Sequence, residues 1–245
     1  MADKSGTPDL MATGTTGKAA GMTGGGSGGA MEVEQTLVAT PVGDARISWH
    51  RPLGPARAVL GLGHGTGRGI EAADLAALAA ALPAHGITVA LVEQPWKVAG
   101  EKEAPEPQTL DTGWVPVAER LAAEGVPLVV GGRSAGARVA CRTAAASGAA
   151  AVLAMAFPLH PPGQPEDSRA AELLGSGLPT LVVQGEKDPY GGPEEFPALP
   201  AGWRLADVPA ADHVFAAPAS APLPATETLT LITRTVTTWL AGLAL

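Results

Sequence analysis

Three residues, far apart in the chain, are of the types that together make a nucleophile. Ser134 stands in Gly132-Arg133-Ser134-Ala135-Gly136, a G-x-S-x-G that follows the apolar run from Pro127 to Gly131 and precedes an alanine-rich helical stretch. Strand, sharp turn and helix are the setting that gives this pattern meaning. The strained turn lifts the hydroxyl out at the end of a sheet, and glycines flank it where side chains would strike neighbouring backbone. A serine hydroxyl is a weak nucleophile until a base takes its proton, and the base needs a carboxylate to fix its tautomer and stabilise its cation. His213, in Ala211-Asp212-His213-Val214-Phe215, is the candidate base. Asp188, in Gly185-Glu186-Lys187-Asp188-Pro189, is the candidate orienting acid, with Glu186 its rival on the same loop. Asp212 adjoins the histidine, and adjacent side chains usually diverge, so it is a poor orienter.

Acyl transfer through such a serine passes through an oxyanion, and one aimed N–H donor is worth about 3 kcal/mol. Ala135, the residue after the nucleophile, would supply one donor. The second is expected from Leu62-Gly63-His64-Gly65-Thr66-Gly67, with the Thr66 N–H first choice and Gly65 second. His64 then braces that loop rather than moving protons. Of the other histidines, His50 reads as structural and His85 as a helix C-terminal cation. His160, shortly after Phe157, is placed at the mouth of the site. Trp96 forms either an apolar wall of the pocket or a cap on the core, and Arg133 is expected to pair with Glu93.

The same glycine-rich stretches fail as nucleotide loops. From Gly63 a dinucleotide fingerprint would need glycine where Arg68 stands, and from Gly131 a phosphate loop would need Lys-Ser/Thr where Ala137 and Arg138 stand. No Cys/His/Asp cluster has metal-ligand spacing, and no cofactor is expected.

Positioning these groups requires strands that all end on one side. The patterning alternates strand and helix, which implies a mostly parallel sheet flanked by helices. Strands are expected over Glu32–Ala39, Ala45–His50, Ala58–Gly63, Ile87–Glu93, Pro127–Gly131, Ala150–Phe157, Pro179–Gly185 and Trp203–Val208. Helices are expected over Glu71–Leu82, Thr112–Glu124, Ala135–Ser147 and Thr226–Leu243. Between Phe157 and Pro179 there is room only for a proline-rich loop and a short helix over Pro165–Leu174, so the site should be open, with a minimal lid or none.

With 245 residues the chain can hold one sizeable domain. Residues 1–31 are rich in Gly, Ser, Thr and Ala and include Gly24-Gly25-Gly26-Ser27-Gly28-Gly29, a linker composition. They are expected to be disordered, with a single domain over 32–245. That start holds no apolar run long enough for a signal sequence or a membrane span, and the expected compartment is the cytoplasm. The formal net charge of −8, from 24 acidic against 16 basic residues, points away from nucleic acid and anionic membrane surfaces. A small-molecule acyl substrate is the expected partner. The single cysteine, Cys141, falls in the helix after Ser134 and reads as a buried packing residue.

Together these motifs resemble the α/β-hydrolase superfamily, in which the triad runs Ser, then Asp or Glu, then His along the chain. The chain is also similar to one branch of it, related to the testis-expressed hydrolase-like proteins and the regulatory subunit of the NSL acetyltransferase complex, and dienelactone-hydrolase-like in form. That resemblance rests on five segments: Val92-Glu93-Gln94-Pro95-Trp96-Lys97-Val98-Ala99-Gly100, Gly131 to Ala140, Phe157-Pro158-Leu159-His160-Pro161-Pro162-Gly163, Gln184 to Gly191, and Asp212-His213. It implies the hydrolase fold and a Ser134–Asp188–His213 triad. The branch often has methionine after the nucleophile, where this chain has Ala135. Two functions are compatible with the resemblance: a serine hydrolase of esters or thioesters, and a weakly catalytic hydrolase-fold scaffold that binds a protein partner.

Overall fold

The computed structural model describes residues 33–245. The expected domain start at residue 32 and the segment before it lie outside the described residues. Among these residues eight strands form one sheet. In chain order the elements are β1 (Glu34–Thr40), β2 (Gly43–His50), β3 (Ala58–Gly63), α1 (Ala73–Ala81), β4 (Ile87–Glu93), α2 (Pro95–Val98), α3 (Pro107–Ala122), β5 (Leu128–Arg133), α4 (Ala135–Thr143), β6 (Ala151–Met155), α5 (Ala170–Leu174), β7 (Thr180–Gly185), β8 (Arg204–Val208) and α6 (Ala225–Gly242). The strand order is β1-β2-β4-β3-β5-β6-β7-β8. The β1–β2 and β2–β4 pairs are antiparallel, and every pair from β4–β3 to β7–β8 is parallel.

Strands β3, β5, β6 and β7 are buried along their whole length, as parallel strands covered on both faces must be. Successive side chains point to opposite faces. Val59, Val130, Val152 and Val182 pack with Trp114, Val117 and Leu121 of α3 and Val139 of α4. Their neighbours Leu60, Val129, Leu153 and Val183 pack with Leu75 and Leu78 of α1 and Ile232, Val236 and Trp239 of α6.

Where the elements depart from the pattern reading, local chemistry accounts for it. β5 runs on through Gly132 and Arg133, which pair with Ala154 and Met155 of β6, although the glycines read as turn. β6 stops at Met155 because Ala156 has φ 43°, outside the strand region. α3 begins at Pro107 rather than Thr112, since proline at a first helical position gives up only an N–H that has no partner there. α2 is a single turn, also opened by a proline, that the pattern did not indicate. Between β6 and β7 the only helix is α5, so no lid domain is inserted there. Parallel strands place the loops after β3, β5, β7 and β8 on one edge, where open α/β sheets build their sites.

Candidate active site

Ser134 links β5 to α4 with φ 53° and ψ −119°. A side chain in that conformation costs about 1–3 kcal/mol and persists only where its surroundings enforce it. Here the Ser134 N–H donates to the Met155 carbonyl at 3.0 Å. The turn is also pressed against β3: a Cβ on either Gly132 or Gly136 would collide with the Gly63 carbonyl oxygen. Arg133 is almost fully buried. Its Nε donates to Asp74 Oδ2 at 3.0 Å and its Nη2 to the His213 carbonyl at 2.7 Å. The expected Arg133–Glu93 pair does not form. Glu93 lies in register opposite Arg46 on the neighbouring antiparallel strand and accepts from its Nη1 at 3.1 Å.

The structure brings Ser134, His213 and Asp188 into one hydrogen-bonded chain. His213 Nε2 lies 2.9 Å from Ser134 Oγ, and His213 Nδ1 lies 2.8 Å from Asp188 Oδ2. With Nδ1–H donated to the carboxylate, the Nε2 lone pair faces the serine hydroxyl, a tautomer assigned from the partners. Asp188 is buried. Its Oδ2 also accepts from Gln184 Nε2 at 2.9 Å and its Oδ1 from the Tyr190 N–H at 2.8 Å. Glu186 turns the other way: it accepts from the Ala210 N–H at 2.8 Å and pairs with Lys187. Asp212 shapes the histidine loop, accepting from the Val214 and Ala216 N–H groups. The loops after β7 and β8 are stitched together by Glu186 N–H to Val208 O and Lys187 N–H to Ala211 O.

On the opposite side of Ser134, the loop after β3 is held by His64. The His64 Nδ1–H donates to the Gly65 carbonyl at 2.7 Å, and Nε2 accepts from the Gln94 N–H at 3.2 Å. Burial pushes the His64 pKa down, so the ring stays neutral and keeps both bonds. A trans peptide sets its C=O and N–H in opposite directions. With the Gly65 carbonyl pinned to His64, the Thr66 N–H is aimed away from the ring. Thr66 and Ala135 line the cleft at Ser134, whereas Gly65 does not.

The cleft has a volume of about 290 Å³. His213 forms one wall, with the Tyr190 ring tilted against it by 38° at 4.3 Å between ring centres. Trp96 and His160, expected at the pocket, do not line this cleft, and neither does His64. His64 and Trp96 lie against each other, 5.6 Å between ring centres, and border a separate small cavity behind Thr66 and Ala135. Trp96 is buried in the core rather than forming a wall of the cleft. His160 is turned away, its Nδ1 to the Pro161 carbonyl at 2.8 Å and its Nε2 to Glu195 at 3.0 Å; Pro158 takes its place at the cleft. Gln184, Tyr190, Arg68 and Arg169 were not picked out from the sequence. Gln184 carried a signal, a polar residue ending an otherwise apolar strand, while the rim arginines carried none.

Residues 56–241 match the family described as alpha/beta hydrolase domain. The chain belongs to the α/β-hydrolase family. No curated protein matches the sequence. Solved structures with the same fold include XC6422 from Xanthomonas campestris, described as an a/b serine hydrolase without lid, at 20% identity, 88% coverage of this chain and 97% of that one, TM-score 0.66. Dienelactone hydrolase from Anabaena variabilis is 18% identical, with 86% and 98% covered and a TM-score of 0.67. Est1E from Butyrivibrio proteoclasticus is 10% identical, with 84% and 99% covered and a TM-score of 0.64. Among the described residues no helix is long and apolar enough to cross a membrane.

Proposed function

We propose that the protein is a serine hydrolase of carboxylic esters or thioesters, acting through an acyl-enzyme on Ser134. The observation that carries this reading is the Ser134–His213–Asp188 chain, at 2.9 and 2.8 Å, inside an open cleft. In the proposed reaction Ser134 Oγ attacks the acyl carbon while its proton passes to His213 Nε2. Asp188 holds the imidazolium through Nδ1–H. The carbonyl oxygen, now an oxyanion, takes hydrogen bonds from the Thr66 and Ala135 N–H groups. His213 gives that proton to the leaving alcohol or thiol as the tetrahedral intermediate collapses: the carbonyl re-forms, the substrate's own ester or thioester bond breaks, and the acyl group stays bonded to Ser134 Oγ. Water then attacks the acyl-enzyme with His213 as base, releasing the acid and restoring Ser134.

The lack of a lid domain suits short acyl groups. The finer kinship, to the branch of testis-expressed hydrolase-like proteins and the NSL regulatory subunit, rests on the sequence motifs alone. The test is a fluorophosphonate probe together with hydrolysis of 4-nitrophenyl butyrate. Labelling of the wild type, lost in Ser134→Ala along with the activity while the circular dichroism spectrum is retained, is the expected result. A folded protein that is neither labelled nor active would favour a binding scaffold instead.

A further inference from the structure

The cleft at Ser134 has a charge opposite to that of the chain. The protein carries a formal net charge of −8, with 24 acidic residues. Yet, among the described residues, the cleft is lined by four arginines, Arg68, Arg133, Arg138 and Arg169, and by no Asp or Glu. They arrive from four segments: the loop after β3, the elbow, the second turn of α4, and the residue before α5. Two of them are already neutralised. Arg133 is paired with Asp74, and Arg138 is bidentate to Glu172 at 2.8 and 2.6 Å. The other two are not. Among the described residues no carboxylate lies within ion-pair distance of Arg68 or Arg169. Arg169 spends one N–H on the Pro158 carbonyl at 3.1 Å and is only half-buried, so its remaining donors are available at the cleft. Arg68 is exposed.

The geometry points to an anionic substrate: an ester or thioester that also bears a carboxylate or phosphate, bound by Arg68 and Arg169 beside Ser134. This rests on the hydrolase reading above and extends it to a substrate class. Guanidinium groups present forked donors that match the paired oxygens of such anions. Charge-assisted bonds within a cleft also lose less to solvent than the same bonds on a flat surface. A neutral ester would leave both cations without a counter-charge.

The first measurement compares esters of similar length, with and without charge. These are 4-nitrophenyl hydrogen adipate against 4-nitrophenyl hexanoate for an anion in the acyl half, and 4-acetoxybenzoate against phenyl acetate for one in the alcohol half. In at least one pair kcat/KM should favour the anion about tenfold or more. That preference should fall toward one in Arg68→Gln and Arg169→Gln and be largely kept in Arg169→Lys. Arg234→Gln, the same charge change on α6, should leave it in place. The second measurement does not need turnover. Calorimetric titration of Ser134→Ala with monomethyl adipate and with glycerol phosphate separates carboxylate from phosphate, and binding should weaken on adding either arginine substitution. If the wild type hydrolyses hexanoate through Ser134 but shows no anion preference and no such binding, this inference is overturned and the hydrolase reading stands. If anions bind through Arg68 and Arg169 but no ester is cleaved, the hydrolase reading fails and the anion site stands.

Discussion

Replacing His64 separates a peptide that is held in place from one that lies there unaided. His64→Ala removes the 2.7 Å bond to the Gly65 carbonyl and leaves the buried Gln94 N–H without its acceptor. The unpaired donor alone costs about 1–3 kcal/mol, and the space left by the imidazole adds to it. A total near 3 kcal/mol corresponds to a fall of roughly 6–12 °C in Tm for a domain of this size. The effect on rate has a different origin. Once the Gly65 carbonyl is free to turn, the Thr66 N–H turns with it, and losing one such donor costs roughly 100- to 1,000-fold in kcat. Two conservative variants divide these effects. His64→Asn puts an amide N–H near the place of Nδ1 and keeps the hold on Gly65, so kcat should stay within about tenfold of wild type. His64→Gln reaches the Nε2 position instead, keeps the partner of Gln94, and should lose most of kcat despite the better Tm. The assay is steady-state hydrolysis of 4-nitrophenyl butyrate, with Tm measured by circular dichroism on the same samples. A His64→Ala protein with a lowered Tm but kcat within about threefold of wild type would refute the argument, because the Thr66 peptide would then be oriented without His64.

Asp188→Asn should lower kcat by about ten-thousandfold at an intact fold, since the amide would hold the wrong histidine tautomer, while Glu186→Gln stays near wild type; the reverse pattern in the same ester assay would make Glu186 the orienting carboxylate. Burial pushes the Cys141 thiol up to about 12, so a disulfide reagent should titrate no thiol in the native protein and one per chain after unfolding in guanidinium. His160 is raised, by the Pro161 carbonyl and by Glu195, so its contribution to stability is full below the unfolded value of about 6.5 and is lost as pH rises through the native one. The Tm difference between wild type and His160→Gln should therefore shrink with rising pH. His64, lowered by burial, should behave in the opposite sense, its advantage over His64→Asn shrinking as pH falls below about 6.5. A chain beginning at Met31 should keep the Tm and activity of the full chain, because the composition of residues 1–30 gives little apolar area to offset ordering; a drop of many degrees in a thermal melt would show that the segment docks.

The parts of the site that local sequence reveals are those whose chemistry is local. The elbow could be read because glycine, serine and glycine at fixed spacing answer one steric problem, the close approach to Gly63. Asp188 and His213 could be read because each follows a strand, and parallel strands deliver their ends to the same edge. Thr66 could be ranked above Gly65 only as a preference, since the orientation of that peptide depends on His64 reaching the Gly65 carbonyl. Long-range partners were not legible. Glu93 takes Arg46 because of a cross-strand register that no window of sequence contains. His160 turns away from the cleft because Pro161 and Glu195 satisfy both of its ring nitrogens. The rim arginines lie on loops without periodicity, and only the folded chain brings Arg68 and Arg169 to the same cleft.

Arg133 shows why stability alone is a poor guide to such a site. It occupies the variable position of G-x-S-x-G, where many side chains would satisfy the turn, yet here it is a buried cation. A buried ion pair commonly adds no more stability than an apolar pair of the same volume, because desolvating both charges offsets their attraction. Its Nε bond to Asp74 reaches α1, and its Nη2 bond reaches the His213 carbonyl. One rigid, planar group therefore spans the first helix, the residue before the nucleophile and the backbone of the candidate base. An apolar residue could fill the same space but could not fix the distance between the elbow and the histidine loop. Ser134, with φ 53°, adjoins one end of that bridge, and Phe215, with φ 56°, lies two residues beyond the other. The buried charge is best accounted for by the geometry it enforces there, with Asp74 present so that the arginine can be buried at all.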